Sequence, residues 1–356
     1  LTPDSLLVDY WTIRPATSRG RVPTILELHG GPSAMWGPGE ASMWHEFQLL
    51  AARGMGVVLS NPRGSGGYGR AFQRANRMRW GDLPARDVLG ALDHAADENS
   101  WIDEGRLGVT GGSYAGYLTA WIVAHDDRFK AAVAQRGVYD LNTFFGEGNA
   151  WRLVPTHFGA YPWTDSDSIA FDPVVDADLL ATAQRLPVPQ TTRDQAASLL
   201  ADLLGDMGAL VSDLDALPQI EGQATDTLAA ALRGDALIEL ARRLQQLPGI
   251  AHPALLVGSD TLAAERISTR ELLARNSPLT YADQITTPLL IMHGSNDLRT
   301  GVIQSEMLYR TLKVLNREVE YVRYPGAGHD LSRGGDPQQR LDRLLRIYEF
   351  LARHVE

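Results

Sequence analysis

The sequence predicts an α/β protein, a mainly parallel, doubly wound sheet with an all-helical module inserted into it. Three observations carry that expectation. Short apolar runs of strand length alternate with helical stretches, which implies parallel strands joined by crossover helices on both faces. Residues 164–270 differ in composition from the rest, with 16 acidic and 7 basic residues, no Lys, and Phe171 as the one aromatic. The chain has 356 residues, enough for two domains or for one large domain with an insertion. The expected organisation is a first α/β segment over 1–163, a helical insertion over 164–270 and a second α/β segment over 271–356.

The elements follow in order. Thr24-Ile-Leu-Glu-Leu-His reads as a strand. Phe47-Gln-Leu-Leu-Ala-Ala reads as helix, then Met55-Gly-Val-Val-Leu-Ser as strand. Asp87 to Ala96 is helical and leads into the strand Arg106-Leu-Gly-Val-Thr. Ala115 to Ala124 is helical and leads into Phe129-Lys-Ala-Ala-Val-Ala. Two later strands are Thr287-Pro-Leu-Leu-Ile-Met and Glu318-Val-Glu-Tyr-Val-Arg-Tyr. Within the acidic window, Thr192 and Gln195 can form a capping box. Leu200, Leu203, Met207, Leu210, Val211 and Leu214 then recur at helical spacing, as do Leu228, Leu232, Leu237, Leu240, Leu244 and Leu247. Leu-Pro pairs at 186–187, 217–218 and 247–248 end these runs, because Pro cannot continue a helix. The ordinary reading is a helical hairpin or small bundle with buried Leu stripes. The sharper reading, compatible with it, is a lid over a site.

Composition narrows the function. The formal net charge is −10, whereas a nucleic-acid binder needs a basic face. With no cysteine there is no disulfide, thiol nucleophile or thiolate metal site. That fits a reducing compartment, and a cytoplasmic location is expected. Leu1-Thr-Pro-Asp shows no signal peptide, and no apolar run is long enough to span a bilayer. The lack of an initial Met fits a cut-down or processed form of a longer protein. His45-Glu46 lacks the second histidine of a zinc motif, since position 49 is Leu49. No metal or cofactor is expected.

The strongest chemical signal is Gly111-Gly112-Ser113-Tyr114-Ala115-Gly116, after a predicted strand and before a predicted helix. That is the context of a nucleophile elbow, where a sharp turn pushes a serine hydroxyl out of the sheet. Ala115 stands where the pattern has Gly. A serine needs a base and an orienting carboxylate. Asp297, after Leu289-Leu-Ile-Met, and His329, in Pro325-Gly-Ala-Gly-His, follow it in the order acid then histidine. Both sit beyond strand ends, where open α/β sheets place their sites. His29 and His293 lie beside Gly turns and read as structural. For the oxyanion, the N–H of Tyr114 is one donor, and the second should come from the loop after an early strand, where His29-Gly30-Gly31-Pro32 matches the HGG-type loop. The phenol of Tyr68 is a third candidate. Gly64, Gly66 and Gly69 match a dinucleotide pattern, but they follow a later strand and read as loop. Phe144, Phe145 and Trp151 are candidates for an apolar substrate pocket or, equally, for core.

Together these pieces resemble the catalytic domain of the prolyl oligopeptidase family of serine peptidases, and within it the acylaminoacyl-peptidase-like branch. The matching stretches are Ile25 to Pro32, Asn61 to Gly69, Leu107 to Tyr114, Ser277 to Tyr281 and Pro325 to His329. The resemblance implies the α/β-hydrolase fold, with Ser113, Asp297 and His329 as triad and Gly31 and Tyr114 as backbone oxyanion donors. Tyr68 matches a tyrosine whose hydroxyl serves in some branches. Arg299 resembles an arginine that holds a substrate carbonyl. Such proteins normally carry an N-terminal β-propeller, and here few residues precede the first strand. The expected function is cleavage of peptide or acyl-aminoacyl bonds in small peptides, with no nucleic-acid or membrane partner and a homo-oligomer left open. The alternatives are a carboxylesterase, or a non-catalytic scaffold whose acidic module docks a basic partner.

Overall fold

The computed structural model describes residues 6–37, 43–159, 161–163 and 268–356. The predicted helical insertion therefore lies outside the described residues, apart from 268–270. The described residues form a seven-stranded sheet of β1 (Tyr10–Ile13), β2 (Val22–Leu28), β3 (Gly56–Ser60), β4 (Ile102–Gly112), β5 (Phe129–Gln135), β6 (Leu289–Gly294) and β7 (Val319–Tyr324). Their spatial order is β1-β3-β2-β4-β5-β6-β7. β1 runs antiparallel to β3, and every other pairing is parallel. β2, β3 and β6 are buried at every position, as continuous apolar strands covered on both faces must be.

The helices are α1 (Trp44–Ala52), α2 (Arg70–Arg74), α3 (Asp82–Glu98), α4 (Tyr114–Val123), α5 (Leu141–Phe144), α6 (Leu153–Phe158), α7 (Thr269–Arg275), α8 (Ile303–Val314) and α9 (Pro337–Val355), with a 3₁₀ stretch at Pro278–Gln284. Among the described residues none is long and apolar enough to cross a membrane. The core has two layers. Leu26, Val109, Ala132 and Ile291 face one side with Leu118, Ile122 and Leu308. Ile25, Val57, Val133 and Met292 face the other with Phe47, Ile347 and Leu351. Successive strand residues point to opposite faces, which is why neighbours in sequence enter different layers. All ten residues of α4 are buried, so its run Tyr-Ala-Gly-Tyr-Leu-Thr-Ala-Trp-Ile-Val has no polar face to offer water.

The α/β-hydrolase fold predicted from sequence is the fold observed, and every predicted strand is present. β1, α2 and α5 to α9 were not anticipated. β1 is four residues long with a half-buried pattern, too short for alternation to stand out. α7 starts at Thr269 behind the Ser268 cap, whose hydroxyl accepts from the Glu271 N–H at 3.1 Å. It thus begins two residues ahead of the expected 271 boundary.

Candidate active site

Parallel strands end together, so their following loops converge on one edge of the sheet. β4 delivers Ser113, β5 delivers Arg136, β6 delivers Asp297 and β7 delivers His329. Ser113 is the turn between β4 and α4, with φ 65° and ψ −125°. A non-glycine residue held there costs about 1–3 kcal/mol, and its neighbours hold it. Its N–H donates to the Gln135 carbonyl at 2.9 Å, and its carbonyl accepts from Tyr117 N–H at 3.1 Å. A Cβ at Gly111 would stand 2.5 Å from the Ala115 Cβ. The missing side chain at Gly111 therefore leaves room for the methyl of Ala115, which is fully buried.

The Ser113 hydroxyl lies 3.0 Å from His329 Nε2, and His329 Nδ1 lies 2.7 Å from Asp297 Oδ2. A carboxylate only accepts, so Nδ1 carries the proton and Nε2 accepts from the serine. The structure brings these three side chains together from distant stretches of chain. Asp297 Oδ1 accepts from the N–H groups of Arg299 and Thr300 at 2.8 and 3.0 Å. The Thr300 hydroxyl sits 3.1 Å from Oδ2. Burial opposes ionisation of Asp297, but hydrogen bonds from His293 and His329 outweigh it and hold the carboxyl well below the usual range. Burial pushes the His329 pKa down; the bond to Asp297 and its charge oppose this, while Arg136 and Arg299 add to it.

His293, read from sequence as structural, is wholly buried against the acid loop. Its Nε2–H donates to the Thr300 carbonyl at 2.8 Å and lies 3.3 Å from Asp297 Oδ2, while Nδ1 is 2.6 Å from the Ser305 hydroxyl. His29 is likewise internal, 2.8 Å from the Ser65 hydroxyl.

The loop after β2 meets the elbow directly. A Cβ at Gly30 would lie 2.8 Å from the Gly112 carbonyl and 3.3 Å from the Ser113 Cβ. The next residue, Gly31, has φ 128°, a conformation that favours glycine. As first residue of α4, Tyr114 has no intrahelical acceptor for its N–H. Tyr68 departs from expectation. Its hydroxyl accepts from Asn61 Nδ2 at 2.8 Å and is directed at the Asp9 carboxylate, with burial first and then Asp9 raising its pKa against the bond from Asn61. The third oxyanion donor predicted from sequence is committed within its own corner. The glycine-rich turn at 64–69 is held instead by Arg63, whose Nε and Nη2 reach Asp87 at 2.8 and 2.7 Å.

The candidate pocket residues separate. Phe144 is fully buried in the core, which corrects its assignment to a pocket wall. It shares the inward face of α5 with Leu141, three residues before it, and Asp140 caps that helix by accepting from Asn142 N–H. Phe145 and Trp151 remain partly accessible and pack edge to face at 5.6 Å. Phe145 also meets Tyr161 and Trp163, which are stacked on each other. This aromatic group adjoins the acid loop, since Asn149 N–H donates to the Leu298 carbonyl. The Arg299 side chain is exposed beside it.

The model of the prolyl oligopeptidase family matches residues 41–183 and 262–356. The chain belongs to that family. The match breaks within the acidic window. Uncharacterized peptidase YuxL of Bacillus subtilis (strain 168) is 32% identical over 99% of this chain, which spans 38% of that protein. Dipeptidyl-peptidase 5 of Schizosaccharomyces pombe is 29% identical over 43% of this chain and 23% of its own length. Among solved structures, the acylaminoacyl peptidase of Pyrococcus horikoshii superposes with a TM-score of 0.63 at 23% identity, covering 99% of this chain and 40% of its own. A puromycin-hydrolyzing peptidase of Mycobacterium tuberculosis gives 0.59 at 19% identity, covering 98% and 37%. These structures share the fold. This member of the prolyl oligopeptidase family thus spans about two fifths of YuxL and of the Pyrococcus structure.

Proposed function

We propose that this chain hydrolyses peptide or acyl-aminoacyl bonds of small peptides by acyl transfer through Ser113. The observation that carries the reading is the unbroken run from Ser113 Oγ to His329 to Asp297 at 3.0 and 2.7 Å. His329 takes the Ser113 proton as the oxygen attacks the carbonyl, and Asp297 holds the imidazole tautomer and stabilises its charged form. The N–H groups of Gly31 and Tyr114 receive the oxyanion, each donor worth on the order of 3 kcal/mol. His329 then protonates the leaving group, and water repeats the sequence on the acyl-enzyme. In this reading Arg299 holds a substrate carbonyl, and Phe145 with Trp151 offers an apolar wall. A cytoplasmic location fits the lack of cysteine. A fluorophosphonate probe and paired p-nitroanilide and p-nitrophenyl ester substrates test the reading. Covalent labelling and anilide turnover are expected, both abolished in Ser113→Ala with the fold retained. Turnover by that variant refutes the nucleophile. Ester turnover alone replaces peptidase with carboxylesterase, and a chain that takes no label acts as a scaffold.

A further inference from the structure

One buried residue outside the triad meets every loop that builds it, the elbow and the histidine loop through its side chain and the acid loop through its backbone carbonyl. Arg136 directly follows β5, with φ 41°, and is 5% exposed. Its Nη2 donates to the Ser332 hydroxyl at 2.8 Å, three residues beyond His329. Its guanidinium lies flat against the elbow, since a Cβ at Gly112 would meet its Cζ at 2.9 Å. Its N–H donates to the Met292 carbonyl at 2.7 Å, and its carbonyl lies 3.0 Å from the Thr300 hydroxyl beside the acid. Among the described residues no carboxylate forms an ion pair with it, and Nε and Nη1 make no hydrogen bond. A buried cation left this way is costly to stability.

We propose that Arg136 is a positioning residue for the Ser113–His329–Asp297 array, its guanidinium bracing the elbow and the histidine loop while its carbonyl seats Thr300 against the acid. This rests on the reading of Ser113 as nucleophile. A displacement of about 1 Å in such an array costs roughly a hundredfold in rate, and Arg136 joins the three loops whose relative placement sets the distances.

Its charge has a second consequence. Burial lowers the Arg136 pKa to about 10, and Arg343 and Arg333 add to that while Glu46 and Asp297 oppose it. It stays protonated at neutral pH. His329 faces Asp297 from the acid loop, Arg299 from the same loop, Asp330 beside it and Arg136 from β5. The positive charge of Arg136 disfavours the imidazolium, so it keeps His329 able to accept a proton at lower pH.

The test follows the rate of fluorophosphonate labelling of Ser113 and kcat/KM on an acyl p-nitroanilide between about pH 5 and 9, around the histidine range. Arg136→Met removes charge and hydrogen bond, Arg136→Lys keeps the charge, and Ser332→Ala removes the acceptor alone. Expected are a loss of roughly ten- to a hundredfold in Arg136→Met and a rise of its acid limb by about one pH unit. Arg136→Lys and Ser332→Ala should lose rate with the acid limb unmoved. An unshifted limb in Arg136→Met overturns the proposal. If that variant does not fold, Ser332→Ala with unchanged rates at every pH overturns it instead. Wild-type protein that takes no label would sink the hydrolase reading and the positioning role with it. Label uptake by wild type with indifferent variants would sink the positioning role alone.

Discussion

Replacing Asp297 by Asn tests the array at its most constrained point. Asp297 Oδ1 accepts from two backbone N–H groups, those of Arg299 and Thr300 at 2.8 and 3.0 Å. An amide oxygen can take that place, and an amide nitrogen cannot. In Asp297→Asn the new amide nitrogen must therefore occupy the Oδ2 position and point its hydrogens at His329 Nδ1, now 2.7 Å from Oδ2. Nδ1 is then forced to accept, and the ring proton moves to Nε2, which faces Ser113 Oγ at 3.0 Å. A histidine protonated there cannot take the serine proton. The same tautomer reversal in a Ser-His-Asp triad lowers kcat by about 10⁴, which corresponds to about 5.4 kcal/mol of transition-state stabilisation. The fold should survive, because the loop keeps both backbone hydrogen bonds. Anilide kcat for Asp297→Asn, with thermal unfolding as the control, measures this. Activity within tenfold of wild type would refute the reasoning, since no rotamer satisfies both backbone donors and leaves Nδ1 protonated.

The remaining outcomes use other parts of the molecule. kcat/KM should fall on acidification as His329 gains a proton. Burial lowers its pKa, so the limb should lie below the ordinary histidine value of about 6.5. The neutral form is the active one, so rate is retained above the limb; a flat profile between about pH 5 and 8 would exclude a histidine base. Phe144→Ala should cost about 3–5 kcal/mol of stability, read from denaturant midpoints, because a fully buried ring leaves a cavity. A cost under about 1 kcal/mol would place that ring outside the core.

Much of this was legible in the chain. β2 to β6 were readable because each has a compact apolar run and β7 because its residues alternate, and the elbow because small residues around a serine between strand and helix have few other uses. Their order after the serine, their places beyond strand ends and the family resemblance paired Asp297 and His329 with Ser113. Phe144 and Phe145 were indistinguishable in sequence. The first points into the core and the second lies against Trp151, because adjacent positions on a helical turn differ by about 100° of rotation. Tyr68 carried the right residue type, but its hydroxyl is taken by Asn61 and Asp9. Arg136 had no motif. Its only sequence signal was a charge at the end of an apolar strand, and such a charge usually reaches solvent.

What the chain determines by itself is the alternation of strand and helix, the chemistry of the elbow and the identity of the groups able to exchange a proton. Those properties are local or ordered along the sequence. Which nitrogen of His329 meets which oxygen, and how Arg136 lies against Gly112, depend on the register of β4, β5, β6 and β7. A hydrogen bond is lost within less than an ångström of misplacement, and only the packed sheet holds groups from four separate strand ends to that tolerance.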